Sequence, residues 1–331
     1  MIRTVTPRDI WYMRNRPRGQ AVFYTDGTLA EPHQPFWYAM RGLIEGYSRE
    51  ALTLVYRDRV LRALAQTSSR PGRPEHDLLL LASYGSQAPL PTDRDLWFRL
   101  LEALCAHVGS FGVQRIYTAL SQRHDELHET FRQNGFAAYG RQTVMMLDGP
   151  DWDQGTSVAL MRALTRRDVW AVHRLYGATT PHAVQRAEPH APRDWSPSSG
   201  RGWRRPTQRA WVVGPESELT GYLRVVSGSA AHVITPVVRP EARDTLPEYL
   251  RFGLSQITDT LPVYLILRQY QEDLHAPAEA LGFSTIGEQM LLVRSMTVSV
   301  RGRIAVPSVE AHAESRHPIP TISSISEDAR R

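Results

Sequence analysis

Hydrophobic residues in this chain recur in two successive series of short strands and amphipathic helices. In the first series, strand patterns over Leu52–Arg57, Val60–Thr67 and Asp77–Tyr84 are joined by short polar connections that suit antiparallel hairpins. An amphipathic helix over Asp95–Val108 follows, with its leucines on one stripe. A buried strand, a shorter helix ending at Gly135 and a final strand complete the series. The pattern predicts a mixed α/β domain.

The same order of elements returns in the second half of the chain. Strand patterns over Ala210–Gly214, Leu219–Ser227 and Ala231–Val238 precede a helix over Pro247–Ile257, and a shorter helix ends at Gly282. Each series also opens with a strand, at Ile2–Val5 and at Val158–Leu164.

Short residue matches indicate that the second series is a copy of the first. The pattern Thr-x-Arg-Asp-x-Trp occurs at Thr6 and again at Thr165, an offset of 165 − 6 = 159. The pattern Gly-Phe-x-x-x-Gly-x-Gln occurs at Gly135 and again at Gly282, an offset of 282 − 135 = 147. The matches keep their order and their offsets differ by the length of one loop, so we interpret the chain as a tandem duplication.

The repeats divide the chain into four parts, one of which carries an insertion. We expect a first domain over 1–147, a linker over 148–157 and a second domain over 158–300. Residues 187–208, rich in Pro, Ser, Gly and Arg, are predicted to be a flexible insertion in the second domain, and residues 301–331 a disordered tail.

Composition narrows the class of protein. The chain has 331 residues, 42% of them hydrophobic, which suits two domains of ordinary size. A single cysteine, Cys105, excludes an intramolecular disulfide. We find no apolar run of the ~20 residues that a membrane helix needs and no secretory signal, and we expect a cytoplasmic protein without a membrane partner.

Charge argues against a nucleic-acid partner. The net charge is +5, and basic residues are dispersed among acidic ones instead of being concentrated on one face. A small molecule or a protein is the partner class that stays open, and the sequence does not indicate the oligomeric state.

The order β-α-α-β-β-β-α-β-α-β resembles that of the GNAT N-acetyltransferase superfamily. The helix ending Phe131-Arg132-Gln133-Asn134-Gly135-Phe136 is similar to the family's Leu-Tyr-x-x-x-Gly-Phe. The resemblance implies two tandem acyl-CoA N-acyltransferase folds, each an α/β unit with a mixed sheet, and acetyl-CoA as the cofactor.

The glycines that the family uses to bind acetyl-CoA are missing from the first copy. The family motif Arg/Gln-x-x-Gly-x-Gly/Ala precedes the long helix, where backbone amides approach the pyrophosphate. Here Asp95 and Trp97 take the places of the glycines, and Thr92 with Asp95 spells a capping box. A capping box uses the amides that a phosphate would need. The alternative is an alignment shifted by one turn, with Arg94 holding the cofactor.

The second copy departs from the motif in the same way. Its stretch contains no glycine, and Thr245 with Glu248 predicts a second capping box. In the alternative alignment Arg243 would hold the cofactor. Both copies are therefore predicted to bind acetyl-CoA poorly.

No catalytic residue is identified in either copy. The family's tyrosine, which protonates the departing thiolate, is replaced by Phe131 and by Ala278. Three tyrosines are candidates for lining the ligand groove, although a core role is equally open to them: Tyr84, Tyr117 and Tyr264.

The other residue patterns in the sequence do not identify a metal site or a catalytic site. His124 and His128 are spaced like half a metal site, but no third ligand is apparent and no metal is expected. The sequence also carries no Ser-His-Asp signature. Trp195 and Trp203 in the insertion are consistent with a lid or a partner surface, or with simple disorder.

Two functions stay open. The chain is either an N-acyltransferase with divergent motifs, active in one copy, or a non-catalytic descendant that binds a ligand or protein through the remnant groove.

Overall fold

The two halves of the chain fold into similar successions of strands and helices. The computed structural model describes residues 1–45, 50–84, 94–148, 161–196 and 206–296. The predicted tail, most of the predicted linker and the second part of the predicted insertion lie outside these ranges. The α/β class expected from the hydrophobic pattern is confirmed.

The first half contains the following strands among the described residues: β1 (Ile2–Thr4), β2 (Gly19–Val22), β3 (Ala51–Arg57), β4 (Leu61–Ser69), β5 (Glu75–Ser83), β6 (Arg115–Ser121) and β7 (Ala137–Leu147). Its helices are α1 (Pro7–Met13), α2 (Asp26–Ala30), α3 (Pro35–Ile44), α4 (Arg94–Ser110) and α5 (His128–Gln133). The bounds of β3, β4, β5 and α4 lie close to the predicted ones, whereas β2 was not predicted.

Among the described residues, the second half repeats this order without a counterpart of β2 and with one helix fewer. Its strands are β8 (Arg162–Ala163), β9 (Thr207–Val213), β10 (Gly221–Ser227), β11 (His232–Val238), β12 (Val263–Arg268) and β13 (Ser284–Ser295). Its helices are α6 (Val169–Thr179), α7 (His182–Ala187), α8 (Leu246–Ser255) and α9 (His275–Glu279).

All of the described strands belong to one sheet, because the two halves exchange their last strands. The sheet order is β1-β3-β4-β5-β6-β13-β7-β12-β11-β10-β9-β8, with β2 paired to β5 beside this path. The final strand of the second half, β13, pairs with β6 of the first, and β7 pairs with β12 of the second. The sheets expected in each half are therefore joined into a single mixed sheet.

The centre of the sheet is a pair of equivalent glutamines. Gln142 of β7 and Gln289 of β13 lie directly opposite each other in an antiparallel pair. Their buried side chains are hydrogen bonded, with Gln142 Nε2 donating to Gln289 Oε1 at 2.7 Å. Since opposite residues of an antiparallel pair face the same side, the approximate two-fold axis that relates the halves passes through this pair, perpendicular to the sheet. Equivalent helices of the two halves therefore lie on the same face.

Helices cover both faces of the sheet. In β3, the neighbouring residues Leu54 and Val55 belong to different core clusters, because side chains alternate between the faces of a strand. The cluster of Leu54 contains the apolar stripe of α4, and the cluster of Val55 contains residues of α1 and α3. In β10, Leu223 likewise packs with α8, and its neighbour Tyr222 packs with α6.

A buried aspartate lies at the start of the first helix in each half, at equivalent positions. Asp9 accepts hydrogen bonds from the Thr6 amide at 2.9 Å and from its hydroxyl at 2.7 Å, and Arg3 binds both of its carboxylate oxygens. In the second half, Asp168 is held by its own threonine and arginine in the same way. The predicted Thr-x-x-Asp start is therefore present twice, and each carboxylate is charge-paired as well as hydrogen bonded.

The helices before the last strands also end alike. Gly135 and Gly282 adopt φ angles of 77° and 92°, a left-handed conformation that favours glycine. In each half the following phenylalanine donates its amide to a carbonyl five residues earlier, Phe131 or Ala278. The repeated Gly-Phe pair is explained by this helix end.

We expect the glutamine pair at the two-fold axis to contribute to stability through pairing. Gln142→Leu should lower the free energy of unfolding by roughly 1–3 kcal/mol, because it leaves a buried amide at Gln289 without its partner. The double variant with Gln289→Leu should recover part of this loss. Urea unfolding of the single and double variants measures the coupling, with the exposed Gln133→Leu as control. Strictly additive losses would contradict the role of the pair.

Candidate functional site

The groove expected from the family resemblance lies between β5 and β6 in the first half. These parallel strands pair only at their beginnings, from Glu75–Asp77 to Arg115–Tyr117, and separate beyond that point. The edge of β5 that faces the separation is not open. It pairs with β2, antiparallel, along Leu80–Ser83. The other edge of the same residues pairs with β4, so β2 lies on the side that β6 leaves.

Backbone and side-chain contacts both hold β2 in this position. The amide of Phe23 donates to Leu79 O at 2.9 Å, and that of Arg18 to Ser83 O at 2.9 Å, so the bonding extends beyond the ends of the strand. Ala21 and Phe23 are fully buried in the cluster that contains α4. The Phe23 ring packs edge-to-face on Phe131, with centroids 5.5 Å apart. Phe131 stands where the family carries its tyrosine.

In the second half, a glutamine bridges the corresponding separation. Strands β11 and β12 pair only from His232–Ile234 to Val263–Leu265. Beyond this, the buried Gln271 donates its side-chain amide to Pro236 O of β11 at 3.0 Å. Pro236 has no amide hydrogen of its own to offer to a ligand. The bridge joins the segment after β12 to β11 across the groove.

The start of α8 corrects the predicted capping box of the second copy. A 3₁₀ turn over Pro240–Thr245 runs directly into the helix, so Thr245 already has helical dihedral angles. Its side chain makes no cap bond and instead donates its hydroxyl to Ala242 O at 2.6 Å. Glu248 lies exposed in the first turn. Arg243 forms an ion pair with Asp273 of the segment after β12. The guanidinium of Arg243, which the alternative alignment assigns to the cofactor, is thus paired with a carboxylate of the same chain.

The corresponding positions of the first copy lie only partly within the described residues. Thr92 is outside them, so the capping box predicted there has no structural outcome. Arg94 and Asp95 are exposed in the first turn of α4. Trp97 is only 1% exposed and belongs to the core cluster under that helix. The position aligned with the second glycine of the motif is thus occupied by a core side chain.

The side chains of the three candidate groove tyrosines do not meet at one site. Tyr84 follows β5 and is buried with residues of α1 and α3, where desolvation raises the pKa of its phenol to about 12. Tyr117 donates its hydroxyl to Ala187 O of the second half at 2.9 Å. Tyr264 packs against the cluster around Ala30 of the first half. The two equivalent tyrosines therefore contact the opposite half and do not face an open groove.

Beside Tyr117, a carboxylate of the second half lies among basic side chains from both halves. Glu188 accepts from Arg70 at 2.9 Å, from Arg268 at 3.1 Å and from the Tyr139 hydroxyl at 3.2 Å. Burial alone would raise the pKa of Glu188, but the guanidinium groups of Arg268 and Arg70 hold this pKa well below its ordinary value. The Arg70 guanidinium also stacks on the Tyr117 ring at 3.9 Å. This face of the first half is filled by residues of the second.

Part of the predicted flexible insertion forms these contacts. Residues 187–196 are described and include a 3₁₀ turn over Pro192–Trp195. Trp195, expected in an exposed or disordered segment, is only 9% exposed and packs on Tyr176, His190 and Tyr222. Its apolar surface is buried against α6, which a loop composition rich in Pro, Ser and Arg does not indicate. Trp203 lies outside the described residues.

The structure contains a hydrogen-bonded Ser-His-Asp row that the sequence spacing did not indicate. His232 Nε2 lies 2.7 Å from Asp259 Oδ1, and His232 Nδ1 lies 2.8 Å from Ser227 Oγ. The amides that follow Ser227 are already used: Gly228 and Ser229 donate to Ala231 O and to the Glu31 carboxylate. Since these amides cannot stabilise an oxyanion, the row joins a hairpin to a loop and is not a hydrolytic site.

A metal site is also not evident in the part of the chain that the structure describes. No group of three or more His, Cys, Asp or Glu residues is arranged there to hold an ion. The same residues include no helix long and apolar enough to cross a membrane.

Solved structures similar to this chain include two that are named as GCN5-related N-acetyltransferase or GNAT proteins. A GCN5-related N-acetyltransferase from Sphaerobacter thermophilus is 15% identical over 89% of this chain and 95% of its own, with a TM-score of 0.51. A functionally unknown conserved protein from Staphylococcus epidermidis is 11% identical over 73% and 93%, with a TM-score of 0.50. A tandem GNAT protein from the clavulanic acid biosynthesis pathway is 14% identical over 89% and 98%, with a TM-score of 0.48.

These likenesses define the class by fold. No protein-family model and no curated protein sequence matches the chain. The chain has the GNAT acetyltransferase fold in tandem, as the order of its elements predicted.

We expect Glu188 to be needed for the stability of the folded chain. Glu188→Gln should lower the free energy of unfolding by about 3–5 kcal/mol, because it removes the carboxylate of Arg268 and one of the carboxylates that bind Arg70. Urea unfolding at neutral pH measures the loss. Glu129→Gln is the matched control, since Glu129 pairs with Arg132 at the surface and its loss should change little. Equal effects of the two substitutions would contradict a structural role for Glu188.

Proposed function

We propose that this chain is a non-catalytic protein with the GNAT fold, which acts by binding and not by acyl transfer. The observation that carries the proposal is the pairing of β2 with β5 along Leu80–Ser83. A groove whose strand edge is already hydrogen bonded to the chain's own backbone offers no open edge to a cofactor.

The cost of opening the first groove is large compared with ordinary ligand binding. Releasing β2 would expose the buried Phe23 side chain, at about 1.5–3 kcal/mol. It would also break several backbone hydrogen bonds worth about 0.5–1.5 kcal/mol each. A total of roughly 5 kcal/mol would leave the open form in fewer than about one molecule in 10³, and the apparent affinity for a cofactor would fall by the same factor.

The chemistry available at the groove favours the same conclusion. Phe131 and Ala278 stand at the place of the family's proton donor, and both are fully buried without an ionisable group. General acid catalysis typically contributes about 10²–10⁴-fold to rate, so a bound cofactor would react slowly. In the second half, the Gln271 bridge and the Arg243–Asp273 ion pair span the region where the cofactor would enter.

Acetyl-CoA is the ligand against which the proposal is tested. At millimolar concentration it should not raise the melting temperature of the unmodified protein, because a closed site gains no stability by mass action. Release of free thiol from acetyl-CoA, measured with a panel of amines, should not exceed the rate without protein. A micromolar dissociation constant for the unmodified protein would overturn the proposal.

A substitution in β2 tests whether this strand is the block. Because the Phe23 amide faces β5 and the pattern alternates, the Ala21 amide also faces β5, and Ala21→Pro removes that donor. We expect this variant to gain an acetyl-CoA-dependent thermal shift. Gln20→Ala is the matched control, since its side chain is exposed and its amide points away from β5. An identical response of the two variants would assign the closure to the start of α4 and not to β2.

A further inference from the structure

The first helix of each half exposes a tryptophan that the fold does not require. Trp11 of α1 is 69% exposed and Trp170 of α6 is 65% exposed. The two residues are equivalent in the duplication. Exposed tryptophan is uncommon because its large apolar surface is normally buried.

Other repeated residues have a structural explanation that these tryptophans lack. Asp9 and Asp168 begin their helices as buried, charge-paired carboxylates, and Gly135 and Gly282 end theirs at positive φ. Each indole makes one contact on or beside its own helix, Trp11 with Arg14 and Trp170 with His173, and still leaves most of its surface to solvent. Its presence at the same position in both copies therefore points to a contact outside the chain.

Exposed arginines lie on or beside both helices that carry these tryptophans. The Arg14 guanidinium lies over the Trp11 ring at 4.9 Å. The exposed arginines on and beside α1 are Arg8, Arg14, Arg16 and Arg18, and those on and beside α6 are Arg166, Arg167 and Arg174. The helices' own acidic residues, Asp9 and Asp168, are both buried and paired. We name these two surfaces the Arg-Trp faces; each combines one indole with a positive charge excess.

A shallow pocket beside the second Arg-Trp face adds a place for an anion. It is lined by Arg162, Thr165, Arg166, Arg167, Pro215 and Glu216. Arg162 is committed to Asp168, and the Glu216 carboxylate offsets one of the remaining positive charges. The pocket is positive in balance, which suits a phosphate group.

We propose that the two Arg-Trp faces dock the protein on an anionic phospholipid surface. Indoles favour the boundary between headgroups and acyl chains, and arginines beside them attract anionic headgroups. A helix that lies on a bilayer needs no membrane-spanning segment. The approximate two-fold axis perpendicular to the sheet carries both Arg-Trp faces on the same sheet face.

The shape of these surfaces distinguishes lipid from other anions. A protein interface of standard size needs a broad apolar centre, whereas α1 and α6 each expose one indole beside charged side chains. A single-stranded nucleic acid is held by several aromatic rings along a groove, whereas these indoles stand on convex helices. Shallow insertion of one ring into a headgroup layer requires no complementary groove.

Vesicle co-sedimentation of the full chain tests the proposal. Vesicles of phosphatidylcholine with phosphatidylserine should bind the protein at low salt and release it at high salt, and vesicles of phosphatidylcholine alone should not bind it. Because each arginine contributes about fivefold to such binding, the double variant Arg8→Glu with Arg167→Glu should weaken it at least about tenfold. Trp11→Ala with Trp170→Ala should also weaken it.

A control on the opposite face of the sheet keeps the test specific. Arg99→Glu removes an exposed arginine from α4 and should leave vesicle binding unchanged. The melting temperatures of all variants should match that of the unmodified protein, because the substituted side chains are exposed. The proposal is overturned if phosphatidylserine vesicles do not bind, or if Arg99→Glu weakens binding as much as the double variants. Binding of a single-stranded oligonucleotide through the two tryptophans, with no binding to vesicles, would overturn it as well.

Discussion

The antiparallel pairing of β7 with β13 is the contact on which the rest of the molecule depends. It places the last strand of each half next to the other half and joins the strands into one sheet. In the joined sheet, β6 and β12 each pair on one edge with the last strand of the other half. The hydrogen bond between Gln142 and Gln289 sets the register at the centre, since a slip of one residue would separate these amides in a buried layer.

Once the halves are joined in this way, each contributes a segment that covers the other. The end of α2 bonds to the β10–β11 hairpin, whose Ala230 amide donates to Ala30 O at 3.1 Å. The end of α7 covers the first half in return, with Tyr117 bonded to Ala187 O. The joined halves therefore each cover part of the other's sheet.

Much of the fold could be predicted because it depends on local patterns. The strands and the long helices follow from hydrophobic periodicity, and the repeated Thr-x-x-Asp and Gly-Phe signals mark helix starts and ends. The exchange of β7 and β13 could not be predicted, because a last strand has the same pattern whichever half it pairs with. Trp195 was misplaced for a similar reason: a Pro- and Ser-rich segment gives no local sign that its indole lies in a core.

Only the residues that are missing from the candidate site could be predicted from the sequence. The missing glycines and the missing tyrosine are visible in the sequence, but the occupant of the first groove is not. Strand β2 has four residues, too few for a period of two to be distinguished from a loop. Strand β2 can pair with β5 only because β6 diverges from β5 beyond its first residues. This divergence is a property of the sheet and cannot be predicted from residues 19–22. The bridge from Gln271 to Pro236 is equally non-local, since it joins residues from two strands' ends.

Repeated residues show what the two halves have in common. Those whose role the structure explains are the helix starts, the helix ends and the glutamine pair: Asp9 and Asp168, Gly135 and Gly282, Gln142 and Gln289. The repeated tyrosines pack against the opposite half, and the repeated tryptophans face outward. A duplicated acyltransferase would be expected to share polar groups along its grooves, yet the two grooves are closed by unrelated means, a strand in one and a glutamine in the other. The residues that the two halves share therefore belong to the scaffold and to the outer helix surfaces, as the proposed binding role requires.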